Sequence, residues 1–347
     1  MSSLRDRRAM RLMFAMVLAF TVIGTAGLGT VAAQDAVVCD SPGLPAPVET
    51  DATPEAVEEE ASADDMADMD MGTPEAMEMP APAPLPEGMP ADPGVAAVIN
   101  AAIENYAACF NEAQTTGDPG LFVALESANY IATSTEGGDP AERVENESGG
   151  PPTTAELVSI SNPLTYDDGR VSGDVELILN DTWFLHQRMF LTLGPSLTWL
   201  LDEEAYLRPQ PDAETVSVNG INITETVDEA SGEVTYAFEF LGSPTIEQTE
   251  ALIFNVTNSG EEVHEAAVVL LPEGSDPLGL LDGSVPFEEV TFIGIVVPIF
   301  PGETKDLALL NLEPGTYTML CFIPGPDGAP HAANGMVTQF EIVEPAE

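Results

Sequence analysis

Cys321, His331 and Met336 stand on one short segment, and a further histidine, His264, lies upstream in the same region. Together they offer a thiolate, two imidazoles and a thioether. Sulfur ligands suit Cu(I), and imidazole binds copper in both oxidation states. Two imidazoles and a thiolate around one metal, with a weak axial thioether, form the ligand set of copper sites that carry electrons. We therefore expect a copper site at these four residues, cycling between Cu(I) and Cu(II).

The elements that must position these residues are strands. Residues 211–347 alternate apolar and polar side chains between Gly, Pro, Asn and Asp turn signals. This pattern predicts an all-β Greek-key sandwich. The expected strands are 215–226, 234–240, 251–257, 263–271, 291–298, 304–310, 315–322 and 336–343. The longer connection between 271 and 289 predicts a short helical insertion.

Three segments of this region resemble the blue-copper cupredoxins. They are the run Asn255–His264, the run Pro314–Cys321 with its tyrosine corner at Tyr317, and the H-x4-M spacing of His331 and Met336. The resemblance implies equatorial ligation by His264, Cys321 and His331 and axial ligation by Met336. It also implies electron transfer, so that a redox carrier or binding protein is favoured over an enzyme.

Two features depart from the cupredoxin pattern. Nine residues separate Cys321 from His331, more than in plastocyanin- and azurin-like proteins and close to the longer loop of copper nitrite reductases. Glu265 follows His264 where many cupredoxins have asparagine, and a carboxylate beside a ligand alters redox tuning. Nitrite reduction is not expected, since His186 is the only other histidine. A metal-free sandwich with Cys321 in its core remains the alternative.

Residues 93–210 predict an α+β unit. Apolar residues at helical spacing run from Val95 to about Thr115, and strands are expected at 157–161, 171–180, 183–193 and 196–207. This order resembles the NTF2-like (SnoaL- and ketosteroid-isomerase-like) domains, which form a cone with a pocket. The resemblance implies a second alternative, a small-ligand binder or enzyme with the sandwich as accessory. Candidate acid–base groups are Tyr106, Tyr130, Asp181, His186 and Asp202, which have no diagnostic spacing.

The N-terminal region predicts export. Residues 1–33 combine a charged start, an apolar run and a small-residue cleavage site, typical of a signal peptide; an uncleaved membrane anchor is the alternative. Residues 34–92 predict a disordered, acidic, Met- and Pro-rich linker. Its methionines suit Cu(I) capture, which leaves a copper chaperone or storage protein as another function, although compositional drift explains them equally well. They are Met66, Met69, Met71, Met77, Met79 and Met89.

The charge balance restricts partners and location. The chain of 347 residues carries 59 acidic and 9 basic side chains, a net charge of −50. It has no basic patch for phosphates, which excludes nucleic acid, and membrane contact is expected only through an uncleaved signal. The acidity favours a basic redox partner and a secreted, periplasmic or outer-surface protein. In an oxidising compartment Cys39 and Cys109 could pair, leaving Cys321 free for a metal or buried and inert.

Overall fold

The computed structural model describes residues 39, 84–135, 138–148, 153–227, 234–326 and 328–345. The predicted signal peptide and most of the predicted linker therefore lie outside the described residues, as do five of its six methionines. From Glu87 onward the described elements belong to one compact unit.

A long helix opens this unit. Helix α1 spans Pro93–Thr116; Asp92 caps it by accepting hydrogen bonds from Gly94 N and Val95 N, and Gly117 ends it in a left-handed conformation. Three shorter helices follow, namely α2 (Gly120–Val123), α3 (Ala128–Ser134) and α4 (Pro140–Glu147). The sequence pattern predicts α1 but gives no signal for α3 and α4, which are too short to show a period.

An antiparallel meander packs against α1. Its strands are β1 (Met89–Pro90), β2 (Ala155–Thr165), β3 (Val171–Leu179), β4 (Trp183–Leu193) and β5 (Trp199–Tyr206). Ile99 and Ile103 of the helix are buried against Val175, Leu191 and Leu201 of the strands. Strand β1, which pairs with β2, shows that the described end of the predicted linker is ordered.

The rest of the chain forms a β-sandwich. Its strands are β6 (Val216–Val227), β7 (Val234–Phe240), β8 (Thr245–Glu247), β9 (Ala251–Asn258), β10 (His264–Leu270), β11 (Thr291–Ile299), β12 (Thr304–Leu310), β13 (Gly315–Leu320) and β14 (Val337–Val343). One sheet has the order β12-β9-β6-β7 and the other β11-β10-β13-β14-β8. All eight predicted strands are present with ends within two residues of those expected, and β8 is the missed strand. The connection after β10 contains the expected short helix, α5 (Gly279–Asp282).

The two sheets enclose one apolar core. Alternate residues of β9, such as Phe254 and Val256, face Val268 and Phe340 of the opposite sheet. Tyr317 donates a hydrogen bond of 2.9 Å to the Glu313 carbonyl oxygen, which forms the expected tyrosine corner. This packing gives the ends of β10 and β13 a rigid frame.

The first sheet crosses the predicted domain boundary at residue 210. Phe184 and Trp183 of β4 pair with Ala308 and Leu309 of β12, the outer strand of the sandwich sheet. Thr182 Oγ1 also donates to the Ile293 carbonyl oxygen at 2.9 Å. The α+β part and the sandwich are thus joined by backbone pairing, although the division into two domains stays a prediction.

Two of the three cysteines form the disulfide bond that we expected for an oxidising compartment. Cys39 is bonded to Cys109 on α1, with a Cα–Cα distance of 5.6 Å, and Cys321 is free and buried. Among the described helices, none is both long and apolar enough to cross a bilayer.

Candidate metal centre

The four predicted ligands lie at one end of the sandwich. His264 is the first residue of β10, and Cys321 directly follows β13. These strands are paired, with Ala267 opposite Leu320, so that the sheet brings their ends together. His331 opens a single helical turn, and Met336 directly precedes β14.

The long connection between Cys321 and His331 is folded back on itself. Gly325 N donates to Ala329 O at 2.8 Å, and His331 N donates to Ile323 O at 2.8 Å. Met336 N then donates to His331 O at 2.9 Å. Backbone hydrogen bonds therefore close the described part of this connection, and the donor residues stay adjacent despite its length.

The side chains of three predicted ligands converge. The Nδ1 atoms of His264 and His331 are 3.0 Å apart, and Cys321 Sγ lies 3.6 Å from His331 Nδ1. One donor atom from each of the three residues lies within 4.8 Å of the others. All three residues are fully buried, and Met336 is buried in the same core cluster.

The outer nitrogen of each imidazole faces a carboxylate. His264 Nε2 is 2.9 Å from Glu225 Oε1, and His331 Nε2 is 3.1 Å from Glu262 Oε2. Each ring therefore directs Nδ1 towards the other donors and Nε2 towards an acid.

Glu225, on β6, also holds the loop before His264. Its Oε1 atom accepts hydrogen bonds from the backbone N–H of Glu261 at 2.9 Å and of Glu262 at 2.8 Å. On the other side of the loop, the buried Asn258 donates from Nδ2 to the carbonyl oxygens of Glu262 and Ile299. The loop that carries Glu262 and His264 is thereby fixed from two sides.

Tyr236, on β7, covers His331. The two rings are stacked with centroids 4.1 Å apart, and the tyrosine hydroxyl donates to Glu262 Oε1 at 3.0 Å. Glu262 thus links the hydroxyl of Tyr236 to the outer nitrogen of His331, and the imidazole beneath the tyrosine ring is fully buried.

Burial controls the protonation of the centre. It raises the pKa of the Cys321 thiol well above its usual range, and repulsion from Glu265 adds to the effect. Burial lowers the pKa of His264, partly opposed by its bond to Glu225. Burial works against ionisation of Glu225, but bonds from His264 and two backbone N–H groups lower its pKa to about 2.

Glu265 behaves differently from the other acids of the site. It is buried, its Oε1 accepts from Phe322 N at 2.7 Å, and no described group bonds its Oε2. Burial raises its pKa to about 7. The carboxylate that the sequence places beside His264 therefore holds the backbone just after Cys321 and does not reach an imidazole.

The donors fit one soft metal ion. Metal–imidazole bonds are about 2.0–2.1 Å and metal–thiolate bonds about 2.3 Å for zinc, so one ion can reach donors 3.0 and 3.6 Å apart. A thiolate with a nearby thioether favours copper among the metals that imidazole binds. The grouping of His264, Cys321 and His331, with Met336 beside it, supports copper binding.

Among the described residues, the acid–base candidates of the α+β part form no metal-donor group like that of the sandwich. Tyr106 donates to Glu126, Tyr130 to Glu204, and Asp202 accepts from Ser127 Oγ. His186 is half-buried on β4 and bonds the Arg208 carbonyl oxygen. Asp181 borders an open cavity of about 320 Å³, which Asn111 of α1 and Glu156 of β2 also line.

Sequence reasoning missed Glu225, Glu262 and Tyr236. Glu262 lies two residues before His264, and this spacing is the one local signal for it. Glu225 and Tyr236 come from strands 39 and 28 residues upstream of His264, and only the strand order places them at the site.

Comparisons with known proteins complete this description. No protein-family model and no curated protein matches the chain. Among solved structures, the chain is similar to the dithionite-reduced auracyanin of the photosynthetic bacterium Roseiflexus castenholzii, with 19% identity over 38% of this chain and 98% of that one and a TM-score of 0.25. It is similar to auracyanin A, a "blue" copper protein of Chloroflexus aurantiacus, with 16% identity over 38% and 100% of the two chains and a TM-score of 0.25. Auracyanin B shows 11% identity over 39% and 94%, with a TM-score of 0.24.

Proposed function

We propose that this protein binds one copper ion through His264, Cys321 and His331, with Met336 as the axial ligand, and transfers single electrons. The observation that carries the proposal is the buried convergence of two Nδ1 atoms and one thiol at 3.0 and 3.6 Å. Bound copper would supply a one-electron couple between Cu(I) and Cu(II).

The protein would hold the ligand atoms in position, release the Cys321 proton and exclude water. Cys321 must lose its proton when the metal binds, because the ligand is the thiolate, and its raised pKa makes binding stronger at higher pH. The strands keep the donors in place before the metal arrives, and Tyr236 and the closed turn after Cys321 exclude water. A preformed, dry site needs little rearrangement when an electron enters or leaves.

We further propose the finer fold assignments, a cupredoxin-like sandwich and an NTF2-like α+β part. A sandwich with one ligand at the start of a strand and three around one loop supports the first. The long helix α1 packed across the curved meander supports the second. The hydrogen-bonded state of its acid–base candidates favours a structural role for the α+β part.

We also propose export and a basic redox partner. The charged and apolar residues 1–33 favour export. A net charge of −50 favours association with a basic protein. The rate of electron exchange with such a partner should fall as the salt concentration rises.

The test is the visible spectrum and copper content of the purified chain after Cu(II) is added, beside Cys321→Ser. We expect one copper per chain and an intense thiolate-to-copper band that ascorbate bleaches. In Cys321→Ser the band should be absent. A wild-type chain that binds no copper, or that binds copper equally in both proteins without the band, would refute the proposed site.

A further inference from the structure

The two imidazoles of the metal centre share an arrangement that the ligand set alone does not require. Each has Nδ1 directed inward and Nε2 within hydrogen-bond distance of a glutamate, namely Glu225 for His264 at 2.9 Å and Glu262 for His331 at 3.1 Å. A neutral imidazole carries one N–H, and the partner of one nitrogen decides which nitrogen keeps it. An acceptor at Nε2 therefore leaves the Nδ1 lone pair free for a metal.

We propose that Glu225 and Glu262 are positioning residues that select the Nε2–H tautomer of His264 and His331 and bias bound copper towards Cu(II). The tautomer part of the inference concerns the metal-free protein. The redox part rests on the proposed function.

Both acids are themselves held in place. Glu225 Oε1 accepts from two backbone N–H groups of the loop 261–262 as well as from His264. Glu262 Oε1 accepts from the hydroxyl of Tyr236, which leaves Oε2 aimed at His331. Because both carboxylates are anchored by other donors, they keep their orientation whether or not a metal is bound.

The expected redox bias follows from charge. A carboxylate bonded to the outer N–H of a metal-bound imidazole makes that ring a stronger donor. Two such acids lie beside a thiolate ligand, so the surroundings favour the more positive oxidation state. The side chains of Glu225 and Glu262 are 10% and 29% exposed, which limits screening by water.

The experiment uses the full chain and the variants Glu225→Gln and Glu262→Gln, with Glu261→Gln as matched control. Glu261 has an exposed side chain in the same loop and contributes only its backbone N–H to the cluster. Two readouts are taken: the tautomers of the ring nitrogens by ¹⁵N NMR of the metal-free protein, and the midpoint potential after copper loading.

In the metal-free wild type we expect a proton on Nε2 of both His264 and His331, with one further proton shared by their Nδ1 atoms, which are 3.0 Å apart. Glu225→Gln should shift the ring nitrogens of His264 alone, and Glu262→Gln those of His331 alone. Each variant should lose about tenfold in Cu(II) affinity relative to Cu(I), which raises a one-electron midpoint potential by about 59 mV. Glu261→Gln should match the wild type in both readouts.

The inference is overturned if Nε2 of either wild-type histidine carries no proton, or if both glutamine variants behave as Glu261→Gln does. If the wild type binds no copper, the proposed function fails and the nitrogen spectra alone decide the inference. If Glu225→Gln unfolds the loop 261–262 that Glu225 holds, Glu262→Gln still tests tautomer selection. The Glu262 carboxylate is held by the Tyr236 hydroxyl and does not hold that loop.

Discussion

Replacing Tyr236 by phenylalanine removes one hydroxyl from the wall of the metal centre and leaves the ring stacked on His331. The hydroxyl donates to Glu262 Oε1 at 3.0 Å. A hydrogen bond to a charged group contributes about 1.5–3 kcal/mol. Because the Glu262 side chain is 29% exposed and can regain water, we expect the low end, a loss of about 1.5 kcal/mol in the free energy of unfolding.

The assay is urea unfolding of the metal-free chain at pH 7, with Tyr317→Phe as the matched control. The hydroxyl of Tyr317 donates to the neutral Glu313 carbonyl oxygen at 2.9 Å, so its removal should cost about 1 kcal/mol. The two variants should therefore have similar stabilities. Only Tyr236→Phe should also shift the ring nitrogens of His331.

A double-mutant cycle isolates the bond to the acid. Tyr236→Phe, Glu262→Ala and the double variant should show a coupling energy of at least about 1 kcal/mol, because the two groups are in direct contact. A coupling energy within about 0.3–0.5 kcal/mol of zero, the value for independent sites, would refute the reasoning that Tyr236 anchors Glu262.

Three further predictions concern the frame around the centre. Phe184→Ala, at the junction of β4 and β12, should lower the free energy of unfolding by about 3–5 kcal/mol in urea, because Phe184 is buried; a loss below 1 kcal/mol would show that the junction is not packed in solution. Reducing the bond between Cys39 and Cys109, which closes a loop of 70 residues, should cost about 4 kcal/mol by chain entropy, measured as unfolding with and without dithiothreitol; equal midpoints would contradict this. Burial, partly opposed by Arg143, raises the pKa of Glu126 from 4.5 to about 7, so the free energy of unfolding in urea should fall as the pH rises from 4.5 to 7. Glu126→Gln should reduce this slope, and an unchanged pH profile would refute the assignment.

Most strands of the sandwich can be predicted from local sequence patterns. Turn residues bracket β7, β11 and β12, and the alternation within each strand shows which face is buried. The donor residues are equally visible, since three of them lie within sixteen positions, from Cys321 to Met336. Short elements are harder to predict, because α3, α4 and β8 have too few residues for a period to appear. The main local signals for the two helices are their capping residues, Ser127 and Asp139.

The pairing of β4 with β12 is not visible in the sequence for a different reason. It joins residues more than a hundred positions apart through backbone hydrogen bonds, which carry no side-chain signature. The change from an α+β pattern to an all-β pattern near residue 210 is compatible both with separate domains and with one continuous sheet. Only the register of Phe184 opposite Ala308 distinguishes the two.

The surroundings of the metal centre can be predicted in part, because glycine residues mark two of the close contacts between distant parts of the chain. A Cβ atom on Gly260 would run into the Glu225 carboxylate, so the loop before His264 can approach that acid only with glycine there. A Cβ on Gly325 would stand 3.2 Å from both His331 Cδ2 and the Tyr236 hydroxyl. A side chain at position 260 would therefore displace the Glu225 carboxylate, and one at position 325 would push His331 or Tyr236 away by a few tenths of an ångström. The donor types indicate which metal can bind, whereas these two glycines indicate how tightly its imidazole ligands are enclosed.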